Sequence, residues 1–292
     1  MNKENQKISS SVVINWYPGH MAKTKRIISE NLNFIDVVYE VLDARIPYSS
    51  RVKDLDSILK NKPRIIIMTK IDLCDIKETD KWVKYYEQNG FKVIKIDLER
   101  NPNIKPILKA TDEIMADLNK KRESKGLLKR KYKALVVGIP NVGKSTLINR
   151  LAGKKATNVG NKPGVTKQTT WIRISDTLEL LDTPGILWPK LDEQNAYNLA
   201  SLTAIKEEVL PIYDVAYYIL KTLNKYYPKI LLERYNIESL TDMDTDFEII
   251  GKKRGCLVKG GEVDFEKVVN VILNDIKCGS IKNITFDRYE NE

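Results

Sequence analysis

Two short motifs occur in this chain in an unusual order, and one of them fixes the local fold around it. Residues 138–145 read GIPNVGKS, which matches the G-x-x-x-x-G-K-[ST] pattern of a phosphate-binding loop. They follow an apolar run at residues 134–137 and precede a helical pattern containing Leu147, Ile148 and Leu151. Because this motif needs a strand before it and a helix N-terminus after it, the sequence predicts an α/β domain that binds nucleotide phosphates.

The second motif precedes the phosphate-binding loop in the chain. Residues 69–72 read TKID and follow an apolar run at residues 64–68 that predicts a strand. Asp72 can accept paired hydrogen bonds from the N1–H and exocyclic amine of guanine, a donor pair that adenine lacks, and Lys70 would lay its stem over the base. Thr69 stands where this box usually has Asn, and it lacks the separate donor and acceptor ends of an amide. The residues therefore predict guanine recognition and leave its tightness open.

The order of the two motifs indicates how the domain is threaded. In an ordinary small GTPase the phosphate-binding loop opens the domain and the base-reading box follows it, whereas here residues 69–72 precede residues 138–145. This order predicts a circularly permuted P-loop GTPase domain. The basic stretch at residues 120–133 lies where the original chain ends would meet, so we expect it to be the connection that closes the permutation.

The phosphate-binding loop contains the residue types that hold a nucleotide and its metal. Its glycines let backbone N–H groups converge on the phosphates, and the dipole of the following helix adds positive charge. Lys144 is expected to contact the β- and γ-phosphates, and the Ser145 hydroxyl is expected to ligate Mg²⁺. The loop residues predicted to bind the nucleotide are Asn141, Val142, Gly143, Lys144, Ser145 and Thr146.

A further set of metal and phosphate contacts is predicted at residues 182–185, which read DTPG and follow the run at residues 178–181. Asp182 would emerge at a strand end and face Mg²⁺ through a water molecule. Gly185 would bring its backbone N–H to the γ-phosphate. Asp, Pro and Gly also form ordinary turns, but the phosphate-binding loop upstream favours the functional interpretation.

A GTPase also needs a switch threonine that closes on Mg²⁺ and the γ-phosphate. Thr166, within residues 162–167 (KPGVTK), is the predicted one. Thr169 and Thr170 lie close to it in sequence and remain competitors, and Thr157 is a weaker alternative.

The glutamine that orients the attacking water in Ras-like enzymes has no counterpart in this sequence. Those enzymes place it just after the Asp-x-x-Gly box, but here Gly185 is followed by Ile186 and Leu187, which cannot hydrogen-bond water. His20 is the single histidine and follows a Pro-Gly turn within residues 15–21 (NWYPGHM). An imidazole titrates near neutral pH, yet on these residues alone a turn or an RNA contact is the favoured interpretation of His20.

The first two-thirds of the chain have the pattern of an α/β domain. Short β-branched runs alternate with helical patterns, which predicts a mostly parallel sheet with helices on both faces. The strands are predicted at residues 37–42, 64–68, 92–96 and 134–137.

A second, helical domain is expected after it. From Asp192 onward the strand patterns fade, and the apolar residues within 265–276 have the spacing of an amphipathic helix that begins after an N-cap at Asp264. The 292 residues allow each domain a core of its own. We expect a circularly permuted GTPase domain over residues 1–190 and a smaller all-α domain over residues 191–292.

Composition restricts the partners and the compartment. Lys and Arg, 49 in all, outnumber 39 Asp and Glu, and the formal net charge of +10 favours a partner coated in phosphate over a merely solvated lysine-rich surface. The three cysteines, Cys74, Cys256 and Cys278, lack metal-ligand spacing and an even count, so a reducing compartment is expected. No apolar run has the length of a signal peptide or a membrane span. We therefore expect a cytoplasmic protein with no membrane association.

Taken together, the motifs resemble those of a known family, the YlqF-type circularly permuted GTPases. The resemblance rests on residues 16–23 (WYPGHMAK), residues 43–47 (DARIP), the base-reading box, the phosphate-binding loop, residues 163–166 (PGVT), residues 182–185 and the run from 254 to 264. It covers nearly the whole chain. The departures are Thr69 in the base-reading box and residues 96–99, which do not match the second base loop of the family.

The resemblance implies a GTPase that takes part in late assembly of the large (50S) ribosomal subunit and binds rRNA partly through its helical C-terminal domain. It implies that His20 is the catalytic histidine and that Asn141 holds a K⁺ ion, which adds positive charge to the transition state. We expect GTP and GDP as ligands, Mg²⁺ as cofactor, no DNA partner, and a monomer away from the ribosome. Two alternatives remain open: a GTP-gated RNA chaperone in which hydrolysis is secondary, and a GTPase whose partner is tRNA or a non-ribosomal protein.

Overall fold

The computed structural model describes residues 14–15, 19–52, 55–59, 62–100, 102–127, 130–157, 170–186, 190–205 and 210–290, and for residues 14, 15, 19–21, 170 and 190 it describes the backbone alone. Thr166 and Thr169 lie outside the described residues, as do the side chains of His20 and Thr170. What the sequence predicts for these four residues stays a prediction.

The described residues form a six-stranded sheet, a two-stranded ribbon, ten α-helices and one 3-10 helix, Leu32–Phe34. The strands are β1 Ile14–Asn15, β2 Val37–Asp43, β3 Arg64–Thr69, β4 Lys92–Lys95, β5 Tyr132–Val137, β6 Thr170–Arg173, β7 Leu178–Asp182 and β8 Lys190–Leu191. The helices are α1 Gly19–Asn31, α2 Leu55–Leu59, α3 Ile76–Gln88, α4 Lys105–Glu123, α5 Lys144–Ala152, α6 Glu193–Ser201, α7 Ile212–Tyr226, α8 Pro228–Tyr235, α9 Met243–Arg254 and α10 Phe265–Lys277.

The large sheet has the strand order β4-β3-β2-β5-β7-β6, and only β6 runs antiparallel to its neighbour. β2 lies between β3, which leads into the base-reading box, and β5, which leads into the phosphate-binding loop. Because parallel strands end at the same edge of a sheet, the two motifs open on one edge. The predicted α/β class, with a mostly parallel sheet and a helical C-terminal region, is confirmed.

Helix α4 is the long helix between β4 and β5, on the part of the chain that joins the two motifs. The helix buries Ile107, Ala110, Thr111 and Met115 on one face, at helical spacing, against the sheet. Its last turn is basic, which suits the negative end of the helix dipole. The basic stretch thus runs from the last turn of α4 toward β5, which precedes the phosphate-binding loop, and its role in closing the permutation stays a prediction.

The helices after β8 pack on one another and on the sheet. In α10 the predicted amphipathic helix is confirmed: Asp264 caps it by accepting a hydrogen bond from the N–H of Lys267 (3.1 Å), and Val268, Ile272 and Ile276 are buried along one face. The buried side chains of these helices and most of those of the sheet form one apolar cluster, while Leu42, Ile66 and Met68 of the sheet lie in a second cluster with Trp82 and Tyr86. Among the described helices, none combines the length and the apolar character needed to cross a membrane.

After α10 the chain returns along the sheet domain in a segment that we call the C-terminal strap, residues 281–290. The backbone N–H of Ile284 donates to the carbonyl of Leu73 (3.3 Å), and that of Phe286 donates to the carbonyl of Arg45 (2.8 Å). The strap therefore lies directly beside the base-reading box and the loop that follows β2. No sequence pattern predicted this contact.

Asp287, within the strap, joins three distant parts of the chain. Its Oδ2 accepts hydrogen bonds from the backbone N–H groups of Tyr48 and Ser49, at 2.7 Å each, and its Oδ1 accepts from the Ser49 hydroxyl and from Nδ2 of Asn198 (2.8 Å). Burial raises the pKa of Asp287 to about 6, although these hydrogen bonds oppose the shift. One buried carboxyl thus fastens the loop after β2, helix α6 and the strap together.

Candidate nucleotide-binding site

The phosphate-binding loop leaves β5 at Gly138, beside β2. A Cβ at Gly138 would lie 2.4 Å from the carbonyl oxygen of Val41, so glycine is needed for the loop to pass the neighbouring strand. Asn141 (φ 62°) and Gly143 (φ 96°) have left-handed backbone conformations, and α5 begins at Lys144. The loop therefore curls in front of a helix N-terminus, the geometry that directs backbone N–H groups at phosphates.

Lys144 is buried inside this loop. Its Nζ donates to the carbonyl oxygens of Gly138 (3.0 Å) and Ile139 (2.8 Å). Burial lowers the pKa of Lys144 to about 8, while the carboxylate of Asp182 acts in the opposite direction. The loop thus holds a cationic side chain, at little exposure to water, where the β- and γ-phosphates of a nucleotide would lie.

Asp182, at the end of β7, supplies a carboxylate to the same space. The side chain is buried, its Oδ1 makes no hydrogen bond, and burial raises the pKa of Asp182 to about 6 against the charge of Lys144. A buried oxygen of this kind is costly unless a cation or a donor meets it, so the residue fits a Mg²⁺ site. The described residues contain no cluster of three acidic, histidine or cysteine ligands, and Mg²⁺ commonly takes one or two carboxylates together with phosphates and water.

The segment after Asp182 is fastened to the phosphate-binding loop. The Thr183 hydroxyl donates to the carbonyl of Val136 (2.7 Å), and the N–H of Ile186 donates to the carbonyl of Gly138 (3.1 Å). A Cβ at Gly185 would meet backbone atoms of Pro140 at 2.6 and 2.8 Å. Gly185 therefore packs directly against the phosphate-binding loop, and its contact with a γ-phosphate stays a prediction.

The base-reading box meets the phosphate-binding loop directly. The hydroxyl of Thr69 donates to the carbonyl of Val142 (2.6 Å) and lies 3.1 Å from the carbonyl of Leu42. Lys70 has a left-handed backbone (φ 57°), and its Nζ donates to the carbonyl of Asn141 (2.7 Å). Thr69 thus fastens the box to the phosphate-binding loop, which gives a physical role to the residue that departs from the usual Asn.

Two residues near the base-reading box were not assigned roles from the sequence. Asp43, at the end of β2, pairs with Lys70 through its Oδ2 at 2.9 Å. Arg100 places its Nε 4.0 Å from a carboxylate oxygen of Asp72. The position of Asp43 at the end of a predicted strand next to the box was a usable signal, whereas nothing in the sequence indicated Arg100.

The loop after β4 adjoins the site even though its sequence does not match the second base loop. The side chain of Leu98 is buried and lies 3.4 Å from where a Cβ on Gly143 would be. The carbonyl of Leu98 accepts a hydrogen bond from Nε of Arg150 in α5 (3.0 Å). Asp97 shapes the turn by accepting from the backbone of residues 99 and 100.

Asn149, in α5, holds the chain that leads toward the predicted switch. Its Oδ1 accepts hydrogen bonds from the backbone N–H groups of Ala156 and Thr157, both at 2.8 Å, and its Nδ2 donates to the carbonyl of Thr157 (3.0 Å). The Thr157 hydroxyl lies 3.3 Å from the carbonyl of Ser145. Thr157 is therefore packed against α5, and sequence reasoning missed Asn149 because no motif includes it.

Comparisons with known proteins agree with this geometry. A sequence model of the family described as 50S ribosome-binding GTPase matches residues 133–250. The match begins in β5, just before the phosphate-binding loop, and leaves out the base-reading box at residues 69–72. A box that precedes the loop is expected to fall outside such a match.

The chain is also similar to curated proteins over most of its length. It is 46% identical to Ribosome biogenesis GTPase A of Priestia megaterium over 94% of this chain and 97% of that protein. It is 33% identical to the Thermotoga maritima protein of the same name, with 95% of each covered. It is 31% identical to Mitochondrial ribosome-associated GTPase 1 of Bos taurus, over 79% of this chain and 71% of that one.

Among solved structures, GNP-bound YlqF from T. maritima matches with a TM-score of 0.64 and 27% identity, covering 92% of this chain and all of that one. The GDP-bound form matches with a TM-score of 0.63 over 91% of this chain. A match to YlqF over nearly the whole chain agrees with the circularly permuted order of the two motifs. This chain is a GTPase and belongs to the ribosome biogenesis GTPase A family, the YlqF-type circularly permuted GTPases.

Proposed function

We propose that this protein is a cytoplasmic assembly factor for the large ribosomal subunit, acting late in maturation, monomeric away from the ribosome, and without a DNA partner. It binds the precursor subunit and its rRNA with GTP bound and leaves after hydrolysis. The names of the relatives, which refer to ribosome biogenesis, and the net charge of +10 support a ribosomal partner.

The observation that carries the proposal is the short path from the γ-phosphate segment to the helical region. Ile186 is bonded to the phosphate-binding loop, and α6 begins at Glu193 after an N-cap at Asp192. At the far end of α6, the carbonyl of Thr203 accepts a hydrogen bond from Nδ2 of Asn141 (2.7 Å). A helix attached to the nucleotide site at both ends is well placed to move when the γ-phosphate is lost.

We further propose that residues 1–190 form the GTPase unit and residues 191–292 the unit that binds rRNA. Hydrolysis of GTP to GDP and phosphate in the first unit would then change the angle at which the second unit presents its surface. The two units share the buried cluster described above, so a change in the first is transmitted by packed side chains.

The chemistry follows from electrostatic positioning. Lys144 would contact the β- and γ-phosphates, while Ser145, Thr166 and, through water, Asp182 would hold Mg²⁺, which would supply positive charge to the phosphates. Because Ile186 is buried and apolar, it cannot orient water, and His20 is proposed for that task. The remaining nucleotide contacts are proposed for Gly185, at the γ-phosphate, and for backbone groups of Val142, Gly143 and Thr146, with Thr69, Lys70 and Asp72 at the base.

A K⁺ ion is proposed as an activator at Asn141. The amide oxygen, Oδ1, is the side-chain atom that would bind the cation, because an amide nitrogen donates hydrogen bonds, as Nδ2 of Asn141 does to Thr203. Comparing turnover in KCl with turnover in NaCl at equal ionic strength tests this role. We expect a rate at least about 10-fold higher in KCl, because positive charge at the transferring phosphoryl group lowers the barrier.

The function is tested by the affinity for precursor large subunits, measured by co-sedimentation with GDP and with a non-hydrolysable GTP analogue. We expect clearly tighter binding with the analogue. The matched control is Lys144→Ala, which removes the phosphate contact and should give the same affinity with either nucleotide. Equal affinities for the unmodified protein would contradict the proposal.

The two alternatives predict different results for GTP turnover. For the assembly GTPase we expect subunits to stimulate turnover and His20→Ala to reduce the stimulated rate by about 100-fold with GDP affinity retained, as for loss of a general base. A chaperone in which hydrolysis is secondary would let His20→Ala still support subunit maturation. A GTPase with a tRNA or protein partner would not respond to subunits.

A further inference from the structure

A cluster of one carboxylate, Asp43, and two cations, Arg45 and Lys70, lies behind the base-reading box, and the proposed function uses only Lys70. Asp43, at the end of β2, has a side chain only 3% exposed. Its Oδ2 lies 2.9 Å from Nζ of Lys70 and accepts a hydrogen bond from NH2 of Arg45 at 2.9 Å. Its Oδ1 accepts from the backbone N–H and from Nε of Arg45, both at 3.0 Å.

The arrangement determines where the Lys70 side chain runs. Its ammonium has two acceptors, the carboxylate of Asp43 at the end of β2 and the carbonyl of Asn141 in the phosphate-binding loop. The left-handed backbone at Lys70, uncommon for a residue with a Cβ, fixes the start of the side chain. With both ends fixed, the four-carbon stem has little freedom, so the surface that it offers to a base is set before the base arrives.

Asp43 is itself held rigidly. The NH1 of Arg45 donates to the carbonyl of Ile276 in the last turn of α10 (3.0 Å), so the guanidinium is fixed at a second point. Its planar fork contacts both oxygens of Asp43, which prevents the carboxylate from rotating. Although burial acts against it, the charges of Arg45 and Lys70 hold the pKa of Asp43 well below its usual range, so the group is ionised.

We infer that Asp43 is a positioning residue for guanine recognition: it fixes the Lys70 stem at the base pocket, and Arg45 fixes Asp43 by joining it to the end of α10. The inference rests on the part of the proposed function that assigns Lys70 and Asp72 to the base. It does not depend on the ribosomal partner. A neutral residue at position 43 would leave the buried guanidinium of Arg45 and the partly exposed ammonium of Lys70 without a shared counter-charge, and Lys70 would move toward water.

The test is a double-mutant cycle on GDP affinity, measured by calorimetric titration of GDP into the full chain. For Asp43→Asn we expect GDP to bind about 10- to 100-fold more weakly, the range for losing a hydrogen bond to a charged group. In a Lys70→Met background we expect the same substitution to change GDP affinity by less than about 2-fold, because its effect passes through Lys70. Equal losses in both backgrounds would show a merely structural role and overturn the inference.

Asp36 provides a matched control at the other end of β2. Its carboxylate is likewise held by an arginine, Arg130, but it lies at the edge of the sheet opposite the nucleotide site. Asp36→Asn should leave GDP affinity within about 2-fold of the unmodified protein, because Asp36 shares no contacting residue with the nucleotide site. If Asp43→Asn does not fold, Asp43→Glu is the second variant, because it keeps the charge but moves the carboxylate. Asp43→Glu should also weaken GDP binding, and this loss should likewise vanish in the Lys70→Met background.

A separate measurement distinguishes failure of this inference from failure of the base assignment. Xanthine has an oxygen where guanine has its exocyclic amine, so Asp72→Asn should weaken GDP binding and strengthen xanthosine diphosphate binding, because an amide can donate to that oxygen. If Asp72→Asn shows this exchange while the Asp43 cycle is additive, only the role of Asp43 fails. If Asp72→Asn leaves both affinities unchanged, the base assignment fails, and the inference with it.

Discussion

Asp287 provides a test of how firmly the C-terminal strap is bound. Its carboxyl is buried at the junction of the strap, the loop after β2 and helix α6, and burial raises its pKa from 3.8 to about 6. Between these two values the folded protein retains a proton that the unfolded chain has released. The contribution of Asp287 to the free energy of unfolding is therefore complete below pH 3.8 and is lost as the pH rises through 6.

The size of this effect follows from the shift. A difference of about 2 pKa units, at about 1.4 kcal/mol each, amounts to about 3 kcal/mol. Asp287→Asn keeps the shape of the side chain and cannot titrate. Most of this change falls between pH 4 and pH 7, so over that range the variant should gain about 2 kcal/mol of unfolding free energy relative to the unmodified protein. The lost hydrogen bonds add a difference that does not change with pH.

Urea unfolding followed by tryptophan fluorescence measures this difference at a series of pH values. Trp82 is a local reporter, because its Nε1 donates to the carbonyl of Asp287 (3.3 Å). Asp176→Asn, with a side chain 90% exposed, is the control and should follow the pH dependence of the unmodified protein. Parallel pH profiles for Asp287→Asn and the unmodified protein would refute the reasoning, since they would mean that Asp287 does not titrate in this window.

Two further substitutions test contacts at the phosphate-binding loop. Gly185→Ala would place a Cβ 2.6 Å from the backbone nitrogen of Pro140. Because Gly185 is predicted to contact the γ-phosphate, we expect the affinity for a non-hydrolysable GTP analogue to fall more than that for GDP. Titrations that show equal losses for both nucleotides would contradict this. Thr69→Val removes the buried hydroxyl that donates to Val142 and should lower the unfolding free energy in urea by about 1–3 kcal/mol, whereas Thr69→Ser should retain most of it.

The parts of the fold that the sequence predicts are those controlled by local patterns. The strand before Gly138 and the helix after Lys144 follow from a motif whose glycines and helix N-terminus must be adjacent in the chain. The helix after Asp264 follows from a cap and an apolar stripe, and the structure confirms both. In each case a few neighbouring residues contain all the necessary information.

The parts that the sequence did not predict depend on residues brought together from far apart. The pairing of Asp43 with Lys70 requires β2 and β3 to be neighbours in register, which no local pattern specifies. The hydrogen bond from the Thr69 hydroxyl to the carbonyl of Val142 was likewise not predicted, because the residues of the box are usually interpreted by their contacts with the base. The strap lacks a periodic apolar pattern. It is held in large part by hydrogen bonds that involve backbone groups and polar side chains, and hydrophobic periodicity cannot predict such contacts.

The position of the strap in the sequence determines when its contacts can form during synthesis. Asp287 follows its partners Tyr48 and Trp82 by 239 and 205 residues, so those partners leave the translating ribosome long before it does. Contacts of such separation form late, because a long loop must close before they contribute. In a nascent chain the phosphate-binding loop is therefore complete before the strap can contact the segment beside the base-reading box. The strap therefore docks beside Arg45 and Leu73 only after β2, β3 and the phosphate-binding loop have all been synthesised.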